Sequence, residues 1–231
     1  MNIVVLTGAG ISAESGLNTF RDSGGLWEGH RVEDVATPEA FAANPEYVQD
    51  FYNMRRAQLQ EPAVQCNAAH LALAEFEGRW RGNFTLVTQN VDNLHQRAGS
   101  KNVLPMHGEL LKARCGACEN ILAWHENLDA QSRCDQCGAQ GSLRPHVVWF
   151  GEMPLYMGEI DAALADCSLF VSIGTSGAVY PAAGFTRLAQ AAGAETVELN
   201  LAPGETATLF DRALYGPATE IVPRFFAGLA S

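Results

Sequence analysis

The 231-residue chain contains no run of eighteen apolar residues, although 47% of its residues are hydrophobic. A helix that spans a bilayer needs about twenty consecutive apolar residues, so the sequence predicts no transmembrane helix. The opening stretch, MNIVVLTGAG, also lacks the basic n-region of a secretory signal peptide. We therefore expect a soluble, cytoplasmic protein with a sizeable core and no membrane partner.

The chain is also poor in positive charge. It has 15 lysines and arginines against 26 aspartates and glutamates, which gives a net charge of -11. A nucleic-acid-binding surface needs clustered Lys and Arg to displace counterions, so we expect no nucleic-acid partner. The charge is compatible with neutral or basic partners, such as lysine-rich protein segments.

Cysteine is too sparse for a disulfide scaffold, with six residues in the whole chain. Four of them form the pairs Cys115-x2-Cys118 and Cys134-x2-Cys137, separated by fifteen residues. This is the spacing of four-cysteine zinc sites, in which each pair supplies one edge of a tetrahedron. Four thiolates leave no open position on the metal, so the predicted zinc ion is structural rather than catalytic.

Several short apolar runs, most of them β-branched, each end in a small or polar cluster. Such runs suit parallel strands buried on both faces, and helical stretches lie between them. The sequence therefore predicts an α/β fold built on a Rossmann-like parallel sheet. The polar clusters should converge at the carboxyl edge of that sheet, and they begin at Thr7, Thr88, Met106, Gly174 and Asn200.

Two segments do not follow the strand pattern. Residues 31–62 look helical and amphipathic, and residues 112–145 hold the paired cysteines. We expect both to form a smaller helical and zinc-binding domain inserted into the Rossmann-like domain. The larger domain would then comprise residues 1–30, 63–111 and 146–231.

The stretch TGAGISAESG matches the dinucleotide fingerprint G-x-G-x-x-A at Gly8, Gly10 and Ala13, after a predicted strand and before a predicted helix. A tight turn without a ligand is the alternative. The second strand and acidic residue expected about 20 residues further on are missing from the polar stretch LNTFRDSGGLWEGH. We interpret residues 17–30 as a cofactor lid without a strand, which disfavours a plain hydride-transfer dehydrogenase.

Several motifs together resemble those of sirtuins, which are NAD-consuming protein-lysine deacylases. They are GAGISAESGLNTFRD, TQNVDNLHQRAG, MHGEL, the two CxxC pairs, VVWFGE and GTSGAVYPAA, in that order. The resemblance covers about residues 3 to 225 and is to bacterial members of the class that includes desuccinylases. It implies NAD-dependent removal of succinyl, malonyl or acetyl groups from lysines of proteins or peptides. The products would be nicotinamide and O-acyl-ADP-ribose, with NAD a consumed co-substrate bound in the larger domain.

The resemblance also implies roles for individual residues. His107 would be the general base, with Asn90 the second catalytic residue. The implied NAD-binding residues are Gly8, Ala9, Gly10, Ser12, Ala13, Glu14, Thr19, Phe20, Arg21, Trp27, Gln89, Asn90, Asp92, Gly174, Thr175, Ser176, Asn200, Leu201, Ala202 and Ala218. The substrate peptide would pair, as an added strand, with Val148, Trp149, Phe150, Gly151 and Glu152.

The stretch FYNMRRAQL places Tyr52 and Arg55 three residues apart, on one face if the segment is helical. An Arg fork matches a carboxylate and a Tyr adds a hydrogen bond, and in sirtuins this pair marks members that accept negatively charged acyl groups. A packed Tyr beside a surface Arg is the alternative, and Arg56 should point about 100° away. A general deacetylase, an ADP-ribosyltransferase and a non-catalytic NAD or zinc module remain open, and the oligomeric state is not predicted.

Overall fold

A computed structural model describes residues 1–17, 26–27 and 29–229, with only the backbone described at 26–27. Within these ranges the strands are β1 (Ile3–Thr7), β2 (Leu26–Trp27), β3 (His30–Arg31), β4 (Phe84–Thr88), β5 (Val103–Pro105), β6 (Gly108–Cys115), β7 (Ile121–Ala123), β8 (Leu143–Val147), β9 (Leu169–Ile173), β10 (Glu195–Asn200) and β11 (Arg212–Tyr215). The α-helices are α1 (Val32–Val35), α2 (Pro38–Ala43), α3 (Pro45–Leu59), α4 (Ala68–Arg79), α5 (Leu94–Ala98), α6 (Met157–Ala165), α7 (Phe185–Ala191) and α8 (Ala218–Leu229).

Six strands form one parallel sheet in the order β11-β10-β9-β1-β4-β5. All five strands predicted from apolar runs belong to it, which confirms the Rossmann-like fold class. The chain moves from β1 outward to β4 and β5, then crosses back to β9 on the other side of β1. This reversal creates a switch point between β1 and β9, where open α/β sheets bind their ligands.

The sheet is buried on both faces, as its continuous apolar strands predict. Along β1, Ile3 and Val5 enter a core shared with α4 and α8, while Val4 and Leu6 enter a second core shared with α6 and α7. Side chains of successive strand residues point to opposite faces, so one short strand supplies both cores. The carboxyl edge between them remains available for polar groups.

A smaller antiparallel sheet, β7-β6-β8, carries the cysteines, and α1 to α3 pack beside it. The helical segment predicted over 31–62 is broken into three helices because two of its turns are capped. Thr37 and Asn44 each stand just before a proline. Their side chains accept hydrogen bonds from the N–H groups of Ala40 and Tyr47. The division into domains at the predicted boundaries stays a prediction.

Two expectations about the segment after β1 are wrong. The glycine turn leads into two 3₁₀ turns, Ala9–Ile11 and Ala13–Ser15, because Gly16 has a φ of +86° and ends the helical path. Residues 17–30 do contain strand: β2 pairs antiparallel with β3.

No helix in the described ranges has the length and apolarity needed to cross a membrane.

Candidate active site

A cleft of about 1240 Å³ lies at the carboxyl edge of the parallel sheet. It exceeds the roughly 300–1,000 Å³ of a typical small-molecule pocket, so it has room for a dinucleotide and a second ligand. All five predicted polar clusters supply groups that line or border it, which confirms that they converge.

The structure brings most of the predicted site residues to this cleft. Those that line it are Gly8, Ala9, Gly10, Ser12, Ala13, Glu14, Tyr52, Arg55, Gln89, Asn90, Asp92, His107, Val148, Trp149, Phe150, Gly151, Glu152, Gly174, Thr175, Ser176, Asn200, Leu201, Ala202 and Ala218. Thr19, Phe20, Arg21 and the side chain of Trp27 lie outside the described residues, so their predicted roles stay predictions.

The glycine turn joins the ends of β1 and β9. The N–H groups of Gly8 and Gly10 donate to the carbonyls of Ile173 and Gly174 at 3.0 and 2.9 Å. A Cβ atom on Gly10 would lie 2.7 Å from the Gly174 Cα, and Gly174 itself has a φ of +61°. The glycines are therefore needed for the close contact of two backbones, in addition to any approach of a pyrophosphate.

Beside this turn lies a buried polar network. The Ser12 hydroxyl donates to Asp92 Oδ2 at 2.9 Å, and the Leu94 N–H donates to Asp92 Oδ1 at 3.0 Å. The Asn90 amide donates to the Gly8 carbonyl at 3.1 Å and contacts Ser12 Oγ at 3.2 Å. Burial raises the pKa of Asp92, and the two donors oppose that shift. The network fixes one rim of the cleft in a single arrangement.

Two buried histidines contact residues at or next to this network. His95 Nε2 lies 3.0 Å from Thr7 Oγ1, and His70 Nε2 lies 3.4 Å from Ser12 Oγ. Burial lowers the pKa of His70 to about 4 and places that of His95 well below its usual value, so both are neutral near pH 7. Sequence spacing does not reveal these two contacts, because the partners lie 88 and 58 residues apart in the chain.

His107 follows β5 and lines the cleft. Its Nδ1 lies 2.9 Å from the Gln89 carbonyl oxygen. A carbonyl only accepts, so Nδ1 carries the proton and Nε2 is the basic nitrogen. Burial lowers the pKa of His107 while this hydrogen bond opposes the shift, which keeps the imidazole neutral and able to accept a proton at pH 7.

The far end of the cleft is formed by α3. Tyr52 is fully buried, and its hydroxyl accepts a hydrogen bond of 2.9 Å from the Trp149 indole. Arg55 is half-buried on the same helix face; its Nη1 donates to the Phe51 carbonyl at 3.1 Å, and Cζ lies 4.0 Å from the Phe51 ring centroid. A phenol and a guanidinium therefore border the same end of the cleft, as the spacing predicts.

Arg56 points to another side of the helix, toward β6. Its Nε donates to the Leu110 carbonyl at 3.1 Å, and its Nη1 donates to Asn53 Oδ1 at 2.8 Å. Burial lowers the pKa of Arg56 to about 10. The expectation that Arg56 points away from Arg55 is confirmed, and its role is to bind α3 to β6.

The segment from Val148 to Glu152 leaves β8 as a turn. The N–H groups of Val148 and Phe150 already donate to the carbonyls of His107 and Ala36 at 2.9 Å each. The Trp149 N–H donates to Glu152 Oε2 at 2.8 Å. The segment therefore offers a substrate mainly carbonyl oxygens rather than a complete strand edge.

At the opposite end, the structure shows side-chain contacts that the sequence did not predict. The buried Glu198 accepts hydrogen bonds from the Gly204 N–H at 3.0 Å and the Tyr215 hydroxyl at 2.9 Å. Glu14 accepts from both the N–H and the hydroxyl of Thr219, at 3.0 and 2.7 Å, in the first turn of α8. These contacts hold the loops around the cleft. Sequence patterns do not reveal a contact such as Glu14–Thr219, because its partners lie 205 residues apart.

The predicted zinc ligands form a cluster away from the cleft. The four sulfurs of Cys115, Cys118, Cys134 and Cys137 lie within 4.8 Å of one another. Two pairs are 3.7 Å apart. Four thiolates at about 2.3 Å from zinc would stand about 3.8 Å apart, whereas a disulfide is about 2.05 Å long. The donor set fits one structural zinc ion.

The loops around these sulfurs are also shaped as ligand turns. Glu119 and Gly138, each the residue after the second cysteine of a pair, have φ values of +59° and +73°. The Asn120 amide donates to Cys118 Sγ at 3.3 Å. A hydrogen bond with Ser142 holds the pKa of Cys115 at about 6, which favours the thiolate that binds metal.

Comparison with known proteins places these features in context. The Sir2 family model matches residues 8–181. The NAD-dependent protein deacylase of Salmonella typhimurium is 59% identical over 223 residues, which cover 96% of this chain and 82% of the relative. The protein of the same name from Escherichia coli K12 is 58% identical and covers 96% and 80% of the two chains.

Solved structures agree with this. A Sir2 homologue in complex with NAD is 37% identical with a TM-score of 0.88, covering 99% of this chain and 89% of the other. A Sir2 complex with a p53 peptide and NAD⁺ is 29% identical with a TM-score of 0.82, covering 100% and 94%.

Proposed function

Because this chain belongs to the Sir2 family, we propose that it removes acyl groups from protein lysine side chains and consumes NAD in doing so. The observation that carries the proposal is that one cleft holds a neutral, oriented His107, a dinucleotide-sized groove and the Tyr52–Arg55 pair. We further propose that this end selects acyl groups that terminate in a carboxylate, such as succinyl and malonyl.

The residues around the cleft fit NAD by their chemistry. The turn at Gly8 and Gly10 brings backbone close to the groove, and Asn90 and Asp92 offer buried polar groups to a nicotinamide-side pocket. Asn200, held at 2.7 Å from the Thr175 carbonyl, would support the adenosine half. Bound there as a co-substrate, NAD would supply the ribose carbon that receives the acyl oxygen as nicotinamide leaves. With one water consumed, the products would be nicotinamide, the free lysine and O-acyl-ADP-ribose.

The chain's own groups would perform three tasks in this reaction. His107 Nε2 accepts a proton from a hydroxyl in the cleft, because Nδ1 is already committed to the Gln89 carbonyl. Asn90 orients the reacting groups from a side chain whose amide is anchored on the Gly8 carbonyl. Carbonyls of the 148–152 turn hold the peptide, which tolerates many sequences because it uses main-chain contacts.

Acyl selection would depend on charge. Tyr52 and Arg55 provide a hydroxyl donor and a cation at one end of the cleft, in a chain that carries a net charge of -11. A succinyl or malonyl carboxylate gains charge-assisted hydrogen bonds there, whereas an acetyl group has no charge to offer. We propose acylated protein lysines in the cytoplasm as substrates; the oligomeric state is not part of the proposal.

The proposal is tested by following nicotinamide release. The protein is mixed with a succinyl-lysine or an acetyl-lysine peptide, with and without NAD, and the expected result is one nicotinamide per lysine freed, only when NAD is present. His107→Ala should abolish turnover, while the same change at the exposed His125 should leave it unaltered. Deacylation without NAD, or full activity in His107→Ala, would exclude this mechanism.

A further inference from the structure

Trp149 is placed differently from a residue that contacts substrate peptide. Its side chain is only 2% exposed, and its indole N–H points at the Tyr52 hydroxyl oxygen over 2.9 Å. An indole N–H can only donate, so the Tyr52 oxygen is the acceptor of this bond. The phenol proton of Tyr52 must then point away from the indole.

Two neighbouring side chains hold the indole in that position. The Arg144 guanidinium lies over its ring with Cζ 3.5 Å from the centroid, and the Phe41 ring packs at 5.1 Å between centroids. Arg144 is in turn held by a two-point ion pair with Glu152, at 2.7 and 2.9 Å. Glu152 also accepts the Trp149 backbone N–H, so the indole has little freedom to rotate.

From these contacts we infer that Trp149 is a specificity-determining positioning residue. Its indole N–H orients the Tyr52 hydroxyl as a hydrogen-bond donor toward a carboxylate-bearing acyl group. The inference rests on the proposed function and assigns its acyl selectivity to a third residue. Burial raises the pKa of Tyr52 well above its ordinary value, so the phenol stays protonated and can donate a hydrogen bond.

The consequence differs between substrates. Without the indole N–H, the Tyr52 oxygen loses the donor that directs its lone pair, so its proton can turn toward other acceptors, which weakens its bond to a carboxylate. An acetyl group does not use that bond. Because a distal carboxylate is bound in the ground state and the transition state alike, the loss should appear mainly in KM rather than in kcat.

The test compares wild type, Trp149→Phe, Tyr52→Phe and the double variant on one peptide bearing succinyl- or acetyl-lysine. For Trp149→Phe we expect kcat/KM on the succinyl peptide to fall about five- to tenfold, the usual effect of one hydrogen bond, and on the acetyl peptide less than about twofold. In the Tyr52→Phe background the same change should cost nothing further, because no phenol proton remains to be oriented. Trp124→Phe is the matched control, since the Trp124 indole donates to the Asn127 carbonyl, near the cysteine cluster and outside the cleft.

Equal losses on both peptides, or additive losses in the double variant, would overturn the inference and leave the proposed function intact. A wild type that leaves the succinyl peptide unprocessed would remove the proposed acyl preference and this inference with it. If Trp149→Phe melts at a markedly lower temperature, Trp149 is replaced by benzothienylalanine, which keeps the shape and lacks the N–H. The same selective loss of succinyl activity is then expected, and its absence would refute the inference.

Discussion

At the scale of single residues, the cleft depends on side chains whose hydrogen-bonding state is dictated by one partner. The Gln89 carbonyl decides which nitrogen of His107 is basic, and the Trp149 indole decides how the Tyr52 hydroxyl is oriented. Both partners are backbone or buried groups that cannot readily change role. Reactive groups are therefore preorganised before any ligand arrives.

The pH dependence of the reaction follows from His107. As the proposed base, His107 must be neutral, and burial disfavours its charged form, so its pKa lies below the ordinary value of about 6.5. As pH falls, activity should therefore persist through 6.5 and decline only when the lowered pKa is reached. A profile of kcat/KM against pH, with the acyl peptide varied and NAD saturating, checks this; an acid limb centred above 6.5 would contradict it.

At the scale of elements, α3 connects the Tyr52–Arg55 end of the cleft to the cysteine-bearing module, which is the smaller sheet with the loops at residues 113–143. One face carries Tyr52 and Arg55, and the other is bonded to the smaller sheet and its loops. Asn53 exchanges two hydrogen bonds with the backbone of Leu128, at 2.8 and 2.9 Å, and Gln49 donates to the Leu143 carbonyl at 3.2 Å. The position of the helix thus depends on the order of that module.

Removing zinc should therefore loosen more than the metal loops. We expect chelation to raise hydrogen exchange across residues 113–143 and along α3, while β1 and β9 stay protected, since metal binding and local folding are coupled. Cys137→Ser should reproduce the effect. Cys66→Ser is the matched control, because Cys66 lies outside the cluster and bonds to the Leu94 carbonyl. Unchanged exchange after chelation would contradict a structural zinc site.

At the scale of the whole molecule, the strand order creates the site. The reversal at β1 brings together the glycine turn, the polar ends of β4 and β5, and the loops after β9 and β10. Gly10 and Asn200, for example, lie 190 positions apart in the chain. A ligand placed at this edge is contacted by all of them.

Features governed by local pattern were predictable from the sequence. Continuous β-branched runs identified β1, β4, β9 and β10, because a strand buried on both faces must be apolar throughout. The CxxC spacing identified the zinc ligands for an equally local reason. The edge strand β11 was missed, since Arg212–Tyr215 is mostly exposed and has no apolar run.

Long-range pairings could not be predicted. Nothing in the sequence links Glu14 to Thr219, 205 residues away, or Trp149 to Tyr52, 97 residues away. The glycine turn also suggested an α-helix where two 3₁₀ turns occur, because the conformation of Gly16 is decided by the packed chain. Such contacts depend on the completed fold, and in this cleft they decide the roles of the side chains.

Replacing Arg55 separates recognition of a carboxylate by α3 from NAD-dependent deacylation itself. The measurement is kcat/KM on one peptide bearing succinyl- or acetyl-lysine, in wild type, Arg55→Met and the control Arg79→Met. Arg79 also lies near a phenylalanine ring of its own helix but is outside the cleft. We expect Arg55→Met to lose roughly 10- to 150-fold on succinyl, about 1.5–3 kcal/mol, with acetyl and the Arg79 variant little changed. Equal losses on both peptides would show that Arg55 only supports the fold, and the account of acyl recognition would be wrong.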